Sequence, residues 1–345
     1  MGSEMCIRDR IRNLLINLFF LIPVWLIRLV ALPFRDVKRN TIFDPQAKFF
    51  LALIPKFEIH LIGDQDISKI RNQIHEKRNN LRLSRKIKKN IKTIDHLINQ
   101  NNSLSLREYV PYKIDNSNVI LFFHGGGYVL NSVDTHHDMV CYFSEKLRTR
   151  IYSLEYSLAP ENKFPKARDE SLLALRWLIE QGHNPANISL CGDSAGAHLA
   201  VSLSQHLKNN ENIKLHSQCL IYPMCDPKCD SESHKIFKHG YLLTHEAMKW
   251  FWQKFSSSKL DIEDSTFNLM IEDTTIQQPK TILVTAGFDP LVDEAEEFAF
   301  LLHENDNTVI QLHYPSLFHG FASMTRLKSA KLAVDDFLRE YKEIL

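Results

Sequence analysis

The sequence predicts an α/β fold in which a mostly parallel central sheet carries helices on both faces. Short apolar runs alternate with amphipathic segments through most of residues 104–345. Such alternation is typical of strand–helix repeats, in which each helix packs back across the sheet. The 345-residue chain is 44% hydrophobic and 24% charged, as expected of a globular protein. Its formal net charge of +1 gives no overall electrostatic reason to expect a nucleic-acid partner.

Six runs have the length and composition of buried strands: Val119–Phe123, Ile151–Tyr156, Ile188–Cys191, Gln218–Tyr222, Thr281–Thr285 and Thr308–Tyr314. The spacing of apolar residues predicts these helices: His137–Leu147, Lys166–Glu180, Ala195–Leu207, Leu291–His303 and about Ser329 to Tyr341. Ligands of such sheets bind at the carboxyl ends of the strands. Candidate functional residues are therefore those that directly follow these runs.

The chain begins with segments that lie outside this pattern. Residues 1–10, MGSEMCIRDR, look unrelated to the rest of the sequence and are interpreted as a non-native remnant. Residues 11–34 form a hydrophobic segment, interrupted between Leu14 and Leu32 only by Asn17, Pro23 and Arg28. That length is close to what crosses a bilayer. Membrane attachment, a helix that covers the active site and a signal peptide all remain open.

Residues 35–103 are predicted to form a helical cap or linker. Within them, residues 61–100 hold ten Lys or Arg against four Asp or Glu. Two sets of isoleucines fit helices with a solvated basic face: Ile67, Ile70 and Ile74, then Ile87, Ile91 and Ile94. Attraction to anionic lipid headgroups is the alternative. The positive charges that follow residue 34 predict a cytoplasmic catalytic domain, with or without membrane association.

A single serine lies between two glycines at the point where a strand-like run becomes helix-like. In Gly192-Asp193-Ser194-Ala195-Gly196 both glycines lack the Cβ atoms that would clash in a sharp turn. The residue at the apex of such a turn is strained and stands above the sheet. G-x-S-x-G in this setting is typical of the nucleophile elbow of α/β-hydrolases, and the alternative is a turn without chemistry. The pattern favours Ser194 as a nucleophile.

A serine nucleophile needs a base, an acid that orients the base, and donors for the oxyanion. His124-Gly125-Gly126-Gly127 follows the strand run 119–123. An HGGG loop in this position supplies part of the oxyanion hole in α/β-hydrolases, and the N–H after the nucleophile supplies the rest. In this chain that second donor is Ala195.

The best candidates for the acid and the base follow two later strands. Asp289 follows the run 281–285, and His319 follows the run 308–314 on a loop. The order Ser194, Asp289, His319 is the chain order of α/β-hydrolases. Asp293 falls one turn into a helix and is interpreted as a helix-capping residue. Four other histidines are poorer candidates for the base because they lie inside elements or before the elbow: His136, His137, His303 and His313.

The cysteines suggest neither a metal site nor a disulfide scaffold. Cys219, Cys225 and Cys229 precede His234 and His239, but their spacing matches no zinc pattern. Six cysteines in 345 residues are too few for a disulfide-rich domain. We therefore expect no metal and no cofactor.

From about Asp44 onward the chain resembles the hormone-sensitive-lipase group of α/β-hydrolases, also called bacterial family IV esterases. The resemblance rests on HGGGY at 124–128, EYSLAPENKFP at 155–165, GDSAG at 192–196, LIYP at 220–223, GFDPLVDEAE at 287–296 and HGF at 319–321. It implies that Asp289 is the acid and that the oxyanion donors are Gly126, Gly127 and Ala195. Membrane-anchored relatives such as arylacetamide deacetylases carry a hydrophobic segment upstream of the point where this resemblance begins.

Two features depart from the pattern of that group. The stretch between Leu106 and Val119 is short, which predicts a reduced first edge of the sheet. Asn131 stands just past the oxyanion loop, where a glycine is common. Neither departure removes a catalytic group.

The expected activity is hydrolysis of short- to medium-chain acyl esters of small molecules, through a Ser-His-Asp triad and an acyl-enzyme. Amide hydrolysis or deacetylation of small molecules on the same triad is the main alternative. A non-catalytic ligand receptor on this fold is a further alternative, although such receptors generally lose a triad member. Neither the natural substrate nor the oligomeric state follows from the sequence.

Overall fold

The computed structural model describes residues 13–54, 67–81, 91–99, 104–211, 213–271 and 277–345. Its centre is an eight-stranded sheet of order β10-β9-β8-β7-β5-β6-β4-β3. Strand β4 runs antiparallel to β3 and β6, and the other neighbours pair in parallel. The eight strands are β3 (Ile91–Asn99), β4 (Leu104–Pro111), β5 (Val119–Phe123), β6 (Arg150–Glu155), β7 (Ile188–Asp193), β8 (Ser217–Ile221), β9 (Lys280–Phe288) and β10 (Val309–Phe318). Strands β1 (Val37–Lys38) and β2 (Thr41–Ile42) form a separate hairpin.

The helices cover both faces of this sheet. They are α1 (Asn13–Phe19), α2 (Val24–Val30), α3 (Pro45–Leu53), α4 (Ile67–Leu81), α5 (Val133–Leu147), α6 (Lys166–Glu180), α7 (Ala195–Asn210), α8 (Glu232–Ile236), α9 (His245–Phe255), α10 (Val292–Glu304) and α11 (Lys328–Ile344). Alternate residues of β5 belong to two apolar clusters, with Leu121 on the side of α6, α7 and α10 and Phe122 on the side of α5 and α11. Burial on both faces explains why this strand is continuously apolar.

The six predicted strands of the catalytic domain and its five predicted helices are confirmed, with ends that shift by a few residues. Helix α5 begins four residues earlier than predicted, and strands β9 and β10 continue to Phe288 and Phe318. A register shift between Tyr314 and Phe318 interrupts the pairing of β10 with β9. As a result Asp289 and His319 follow their strands at once and not after a loop. Helices α8 and α9 were not predicted.

The prediction of a helical cap or linker over residues 35–103 is wrong at its C-terminal end, where the second set of isoleucines was expected to form a helix. Ile91 and Ile94 belong to β3 and not to a helix, while Ile87 lies outside the described residues. Eight residues of β3 pair with β4, and Arg107 on β4 donates to Asp95 across the pair at 2.7 Å. The first edge of the sheet is therefore built from two full strands, and the prediction of a reduced edge is also wrong.

Helix α4 agrees with the prediction from the first isoleucine set. Ile70 is buried, and Ile67 and Ile74 pack against the apolar cluster that contains it. Much of the basic stretch after this helix lies outside the described residues.

The hydrophobic N-terminal segment is not one continuous helix. Helices α1 and α2 are bent by 99° at the break between Phe19 and Val24. Within the described residues no single helix is long and apolar enough to cross a membrane. The two bent helices reach the length and apolar composition of a membrane span only when they are counted together. Residues 1–10 lie outside the described part of the chain.

Candidate active site

Ser194 occupies the turn between β7 and α7 with a strained backbone, at φ 55° and ψ −119°. Both flanking glycines are required by close packing. A Cβ on Gly192 would lie 2.3 Å from the backbone of Gly196, and a Cβ on Gly196 would lie 2.0 Å from the carbonyl oxygen of Phe123. Only glycine fits at either contact, because side-chain atoms do not approach backbone so closely. The turn at Ser194 thus packs tightly against Phe123 at the end of β5.

Ser194, His319 and Asp289 are brought into one hydrogen-bonded chain. His319 Nε2 is 3.0 Å from Ser194 Oγ, and His319 Nδ1 is 2.7 Å from Asp289 Oδ2. Asp289 is fully buried, whereas Ser194 and His319 keep 7% and 8% of their surface exposed. This is the arrangement in which an imidazole takes the hydroxyl proton and a carboxylate orients the imidazole.

Asp289 and His319 are held in place by their surroundings. Asp289 Oδ1 accepts a hydrogen bond from the N–H of Leu291 at 2.9 Å, so its other oxygen stays directed at His319. The ring of Tyr222, which follows β8, lies with its centroid 4.6 Å from that of His319. Gly320 has a positive φ of 82° and lets the chain turn away directly after the histidine.

The loop after β5 presents backbone N–H groups beside this chain. Gly126 and Gly127 have φ values of 131° and 60°, which glycine adopts without strain. Within the described residues, the N–H groups of Gly126, Gly127 and Ala195 donate to no protein acceptor. Unpaired N–H groups next to a nucleophile are what an oxyanion hole requires.

The asparagine that departs from the family pattern has a structural explanation. Asn131 has a φ of 72°, a region that glycine favours and that asparagine tolerates better than most residues. Its side-chain N–H group donates to the carbonyl oxygen of Gly125 at 3.0 Å. Asparagine at position 131 therefore keeps the backbone turn and adds a hydrogen bond that stabilises the loop after β5.

Two residues at the site were not identified from the sequence, Asp193 and His136. Asp193 Oδ1 accepts the N–H of Gly125 at 2.9 Å, and His136 Nε2 lies 3.4 Å from the same oxygen. His136 is 1% exposed, at the start of α5. His136 precedes the elbow in the chain, which makes it a poor candidate for the base. The structure agrees, since His136 contacts Asp193 and not Ser194. No local signal linked it to Asp193, because the contact spans 57 residues.

Helix α9 brings aromatic side chains against the loop that follows β5. A Cβ on Gly127 would lie 2.2 Å from the ring of Phe251, so this ring contacts the glycine directly. The ring of Phe255 stacks on Tyr128 with centroids 3.7 Å apart. Tyr128 OH in turn lies 2.7 Å from His198 Nδ1 on α7. These contacts make α9 one wall of the site.

Asp293 does not cap helix α10, and that prediction is wrong. Residue 291 holds the capping position without a side-chain hydrogen bond. Asp293 accepts two hydrogen bonds from Arg39, at 2.5 and 2.8 Å, and a third from the backbone N–H of Ser233. Burial alone would raise the pKa of Asp293, but these hydrogen bonds outweigh it and lower the pKa. Asp293 thus ties the N-terminal segment to the catalytic domain.

Arg71 makes a second connection between the N-terminal region and the site. Its guanidinium donates to the carbonyl oxygens of Val129 and Ala159, at 2.8 and 2.7 Å. It also forms a two-pronged ion pair with Glu161, at 2.9 and 2.8 Å. Because Val129 comes two residues after Gly127, helix α4 is fastened to the loop that carries the unpaired N–H groups.

Three of the residues considered for a metal site, Cys225, Cys229 and His234, are buried in other surroundings. Burial raises the pKa values of the Cys225 and Cys229 thiols, which keeps both neutral. His234 Nε2 lies 3.0 Å from Glu294 Oε2 in a buried pair. Among the residues that the structure describes, no group of three His, Cys, Asp or Glu side chains is arranged to hold a metal ion.

Comparison with known proteins identifies the family of the chain. A family model described as alpha/beta hydrolase fold matches residues 120–323. The ethyl acetate hydrolase of Pseudomonas putida is 30% identical over 230 residues, which are 64% of this chain and 72% of that protein. The arylesterase of Saccharolobus solfataricus is 27% identical over 291 residues, which are 82% of this chain and 93% of that protein.

Solved structures show the same relationship. The hyperthermophilic esterase from the archaeon Pyrobaculum calidifontis superposes with a TM-score of 0.74 at 25% identity, covering 84% of this chain and 99% of that one. The thermophilic carboxylesterase EstE1, cloned from a metagenomic library, gives 0.74 at 26% identity, covering 81% and 98%. The chain therefore belongs to the hormone-sensitive-lipase-like, bacterial family IV esterases of the α/β-hydrolase fold and is a carboxylic ester hydrolase.

Proposed function

We propose that this enzyme hydrolyses short- to medium-chain acyl esters with Ser194 as nucleophile, His319 as general base and acid, and Asp289 as the residue that orients His319. The observation that carries the proposal is the continuous chain of hydrogen bonds from Ser194 Oγ through the two ring nitrogens of His319 to Asp289. A serine, a histidine and a carboxylate in this order form the recurrent acyl-transfer constellation.

Each step follows from the positions of these atoms. His319 Nε2 takes the Ser194 hydroxyl proton as Oγ bonds to the ester carbonyl carbon. The tetrahedral intermediate collapses, its bond to the alcohol oxygen breaks, and His319 returns the proton to the departing alcohol. Water then attacks the acyl-enzyme with His319 again as base, which frees the carboxylic acid and restores Ser194.

The negative charge of both intermediates falls on the former carbonyl oxygen. The N–H groups of Gly126, Gly127 and Ala195 supply the donors for it in this proposal. Donors that are fixed before the reaction stabilise the developing charge at no cost of reorganisation, and loss of one costs on the order of 10²–10³ in kcat. No metal or cofactor takes part in these steps.

Three observations support a limit on acyl length. Phe251 holds its ring against Gly127, one of the proposed oxyanion donors. Leu242 approaches the loop of His319 and would contact a Cβ on Gly320 at 3.4 Å. One relative, the Pseudomonas putida protein, is named for hydrolysis of an ester with a two-carbon acyl group. Bulky side chains against Gly127 and beside the residue that follows His319 favour a small pocket.

The test is a series of p-nitrophenyl esters from acetate through butyrate and decanoate to palmitate, with butyryl p-nitroanilide as the amide of matched acyl group. We expect kcat/KM to peak at acetate or butyrate and to be far lower for the anilide. A peak at palmitate with activation by an oil–water interface would contradict the proposed acyl preference. Comparable rates on the ester and the anilide would favour the amidase alternative. Membrane association through residues 11–34 and a cytoplasmic location remain predictions.

A further inference from the structure

The N-terminal helices present a concentrated apolar surface to solvent. Eleven of the 23 exposed large apolar side chains among the described residues fall between Asn13 and Phe34. They include Leu21, which is 77% exposed, and Trp25, which is 68% exposed. Single exposed apolar side chains are normal, but a contiguous group of this size marks a surface that binds something. We call the exposed side of α1, α2 and the turn that joins them the apolar N-terminal face.

The opposite side of the same helices is attached to the enzyme. Ile16, Phe19 and Ile27 are buried, and the rings of Phe19 and Phe20 lie 6.5 and 5.6 Å from that of Phe50 on α3. Phe20 also lies under the guanidinium of Arg326, 4.0 Å from its ring centroid. Each helix therefore has a docked side and an exposed apolar side, and the exposed side faces away from the catalytic domain.

The dimensions of the pair decide how it meets a membrane. Each helix has seven residues and so is about 10 Å long, against roughly 30 Å for the hydrocarbon core of a bilayer. The bend of 99° keeps the two axes from adding up to one span. Straightening the pair would remove the buried contacts of Ile16, Phe19 and Ile27. In this conformation the helices would lie along a membrane surface and not across it.

The charges around the face indicate which surface it meets. No Asp or Glu occurs between Ile11 and Arg35, and Arg28 and Arg35 are exposed in this range. A second copy docked on the same face would set these two arginines against their counterparts, and residues 11–35 hold no carboxylate to pair with them. Anionic phospholipids satisfy both features, because their acyl chains accept the leucines and their headgroups accept the cations. Trp25 has the side chain that membrane interfaces favour.

We propose that the apolar N-terminal face attaches the enzyme in plane to an anionic phospholipid bilayer, with α1 and α2 parallel to the membrane. The catalytic domain stays outside the hydrocarbon core, held by the docked side of the helices. This attachment does not depend on the reaction, so it stands or falls separately from the proposed triad.

The experiment uses the full chain in flotation with vesicles of phosphatidylcholine alone and of phosphatidylcholine with phosphatidylserine, at low and high salt. The unchanged protein should float with the anionic vesicles and bind them more weakly at high salt. The double substitution Leu21→Glu with Trp25→Glu should weaken this binding by more than about tenfold, since charged groups insert poorly. Leu260→Glu is the matched control, because Leu260 is 67% exposed in the 3₁₀ turn Lys259–Glu263. That turn precedes Phe267, which belongs to the apolar cluster on the sheet face opposite to the one that Ile16, Phe19 and Ile27 join. This control should float like the unchanged protein, and all three should hydrolyse p-nitrophenyl butyrate equally.

Three results would overturn the proposal. One is the absence of binding to either vesicle at low salt. Another is a concentration-dependent dimer, seen by analytical ultracentrifugation, that the double substitution abolishes, since a second copy would then be the occupant. The third is protection of an N-terminal tag from protease added outside sealed vesicles, since the tag would then lie across the bilayer from the catalytic domain.

Discussion

The backbone N–H of Gly125 donates to Asp193 Oδ1 at 2.9 Å, and this bond joins the loop of Gly126 and Gly127 to the turn of Ser194. The residue on each side of the bond is thus adjacent to a group that the proposed reaction uses. Errors of about 1 Å between reacting groups cost on the order of 10² in rate. The bond therefore fixes the distance between the proposed nucleophile and the proposed oxyanion donors, and His136 contacts the carboxylate from the other side.

Gly125→Ala should separate these two elements. An added Cβ would lie 2.6 Å from Asp193 Oδ2 and 2.7 Å from the Asp193 carbonyl oxygen, and backbone cannot move aside cheaply. We expect kcat for p-nitrophenyl butyrate to fall about 10²–10³-fold, with a smaller change in KM, because oxyanion donors act mainly in the transition state. Steady-state kinetics on the purified variant measure both constants.

Gly182→Ala is the control for the glycine change itself. Gly182 has a φ of 91°, so alanine is strained there, but its Cβ would meet nothing within 4 Å. This variant should lose some thermal stability and keep its kcat. Equal losses of kcat in the two variants would show that strain, and not the position of the loop, limits the reaction.

Ser194→Ala should abolish ester hydrolysis and leave the fold intact. The proposed triad predicts a loss of roughly 10⁴–10⁶-fold in kcat. Alanine keeps the small side chain that the elbow admits, so the far-ultraviolet circular dichroism should not change. A fluorophosphonate probe should label the unchanged protein at Ser194 and fail to label the variant. Hydrolysis near the original rate would rule out Ser194 as the nucleophile.

Asp289→Asn and Asp293→Asn should separate catalysis from attachment. At 289 an amide would favour the wrong tautomer of His319, with a loss of about 10⁴-fold in kcat. At 293 the change would weaken the ion pair with Arg39, and we expect lower stability with kcat nearly unchanged. Urea unfolding and kinetics on both variants give the comparison. Equal losses of kcat, or a larger loss at 293, would reassign the acid.

The elements around the proposed triad were predictable because their signals are local. The apolar run 188–191, the two glycines and the following helical pattern lie within about one strand and one helix of each other. The positions of Asp289 and His319 followed from the rule that ligands bind at carboxyl ends of parallel strands. The chain order Ser194, Asp289, His319 then distinguished His319 from the other histidines.

The features that sequence reasoning missed depend on contacts between distant residues. Ile91 and Ile94 are spaced as in a helix, yet β3 forms because β4 offers a pairing partner, which no local pattern reports. The contact of His136 with Asp193 requires knowing how α5 sits over the end of β7. Arg71 looked like one of many solvated cations, and only the fold brings Val129 and Glu161 within its reach.

Glu155 should make the stability of the protein depend on pH. Its Oε2 accepts the N–H of Val133 at the start of α5, at 2.9 Å. Burial nevertheless raises the pKa of Glu155 from an ordinary value of 4.5 to about 7. The folded state therefore keeps a proton that the unfolded state releases between these two pH values. The contribution of this group is full below about pH 4.5 and is lost as the pH rises through about 7.

Glu155→Gln should remove that dependence, because the amide oxygen still accepts from Val133 and does not ionise. We expect the free energy of unfolding in urea to rise relative to the unchanged protein by more at pH 8 than at pH 5, with a difference of at most about 3 kcal/mol. Glu161→Gln is the opposite control. The hydrogen bonds from Arg71 lower the pKa of Glu161, so its contribution is already complete above the ordinary value and is lost only in more acidic solution. Glu161→Gln should therefore be destabilised by similar amounts at pH 5 and pH 8. If Glu155→Gln also changed the free energy of unfolding equally at both pH values, Glu155 would be charged in the folded protein from pH 5 to pH 8.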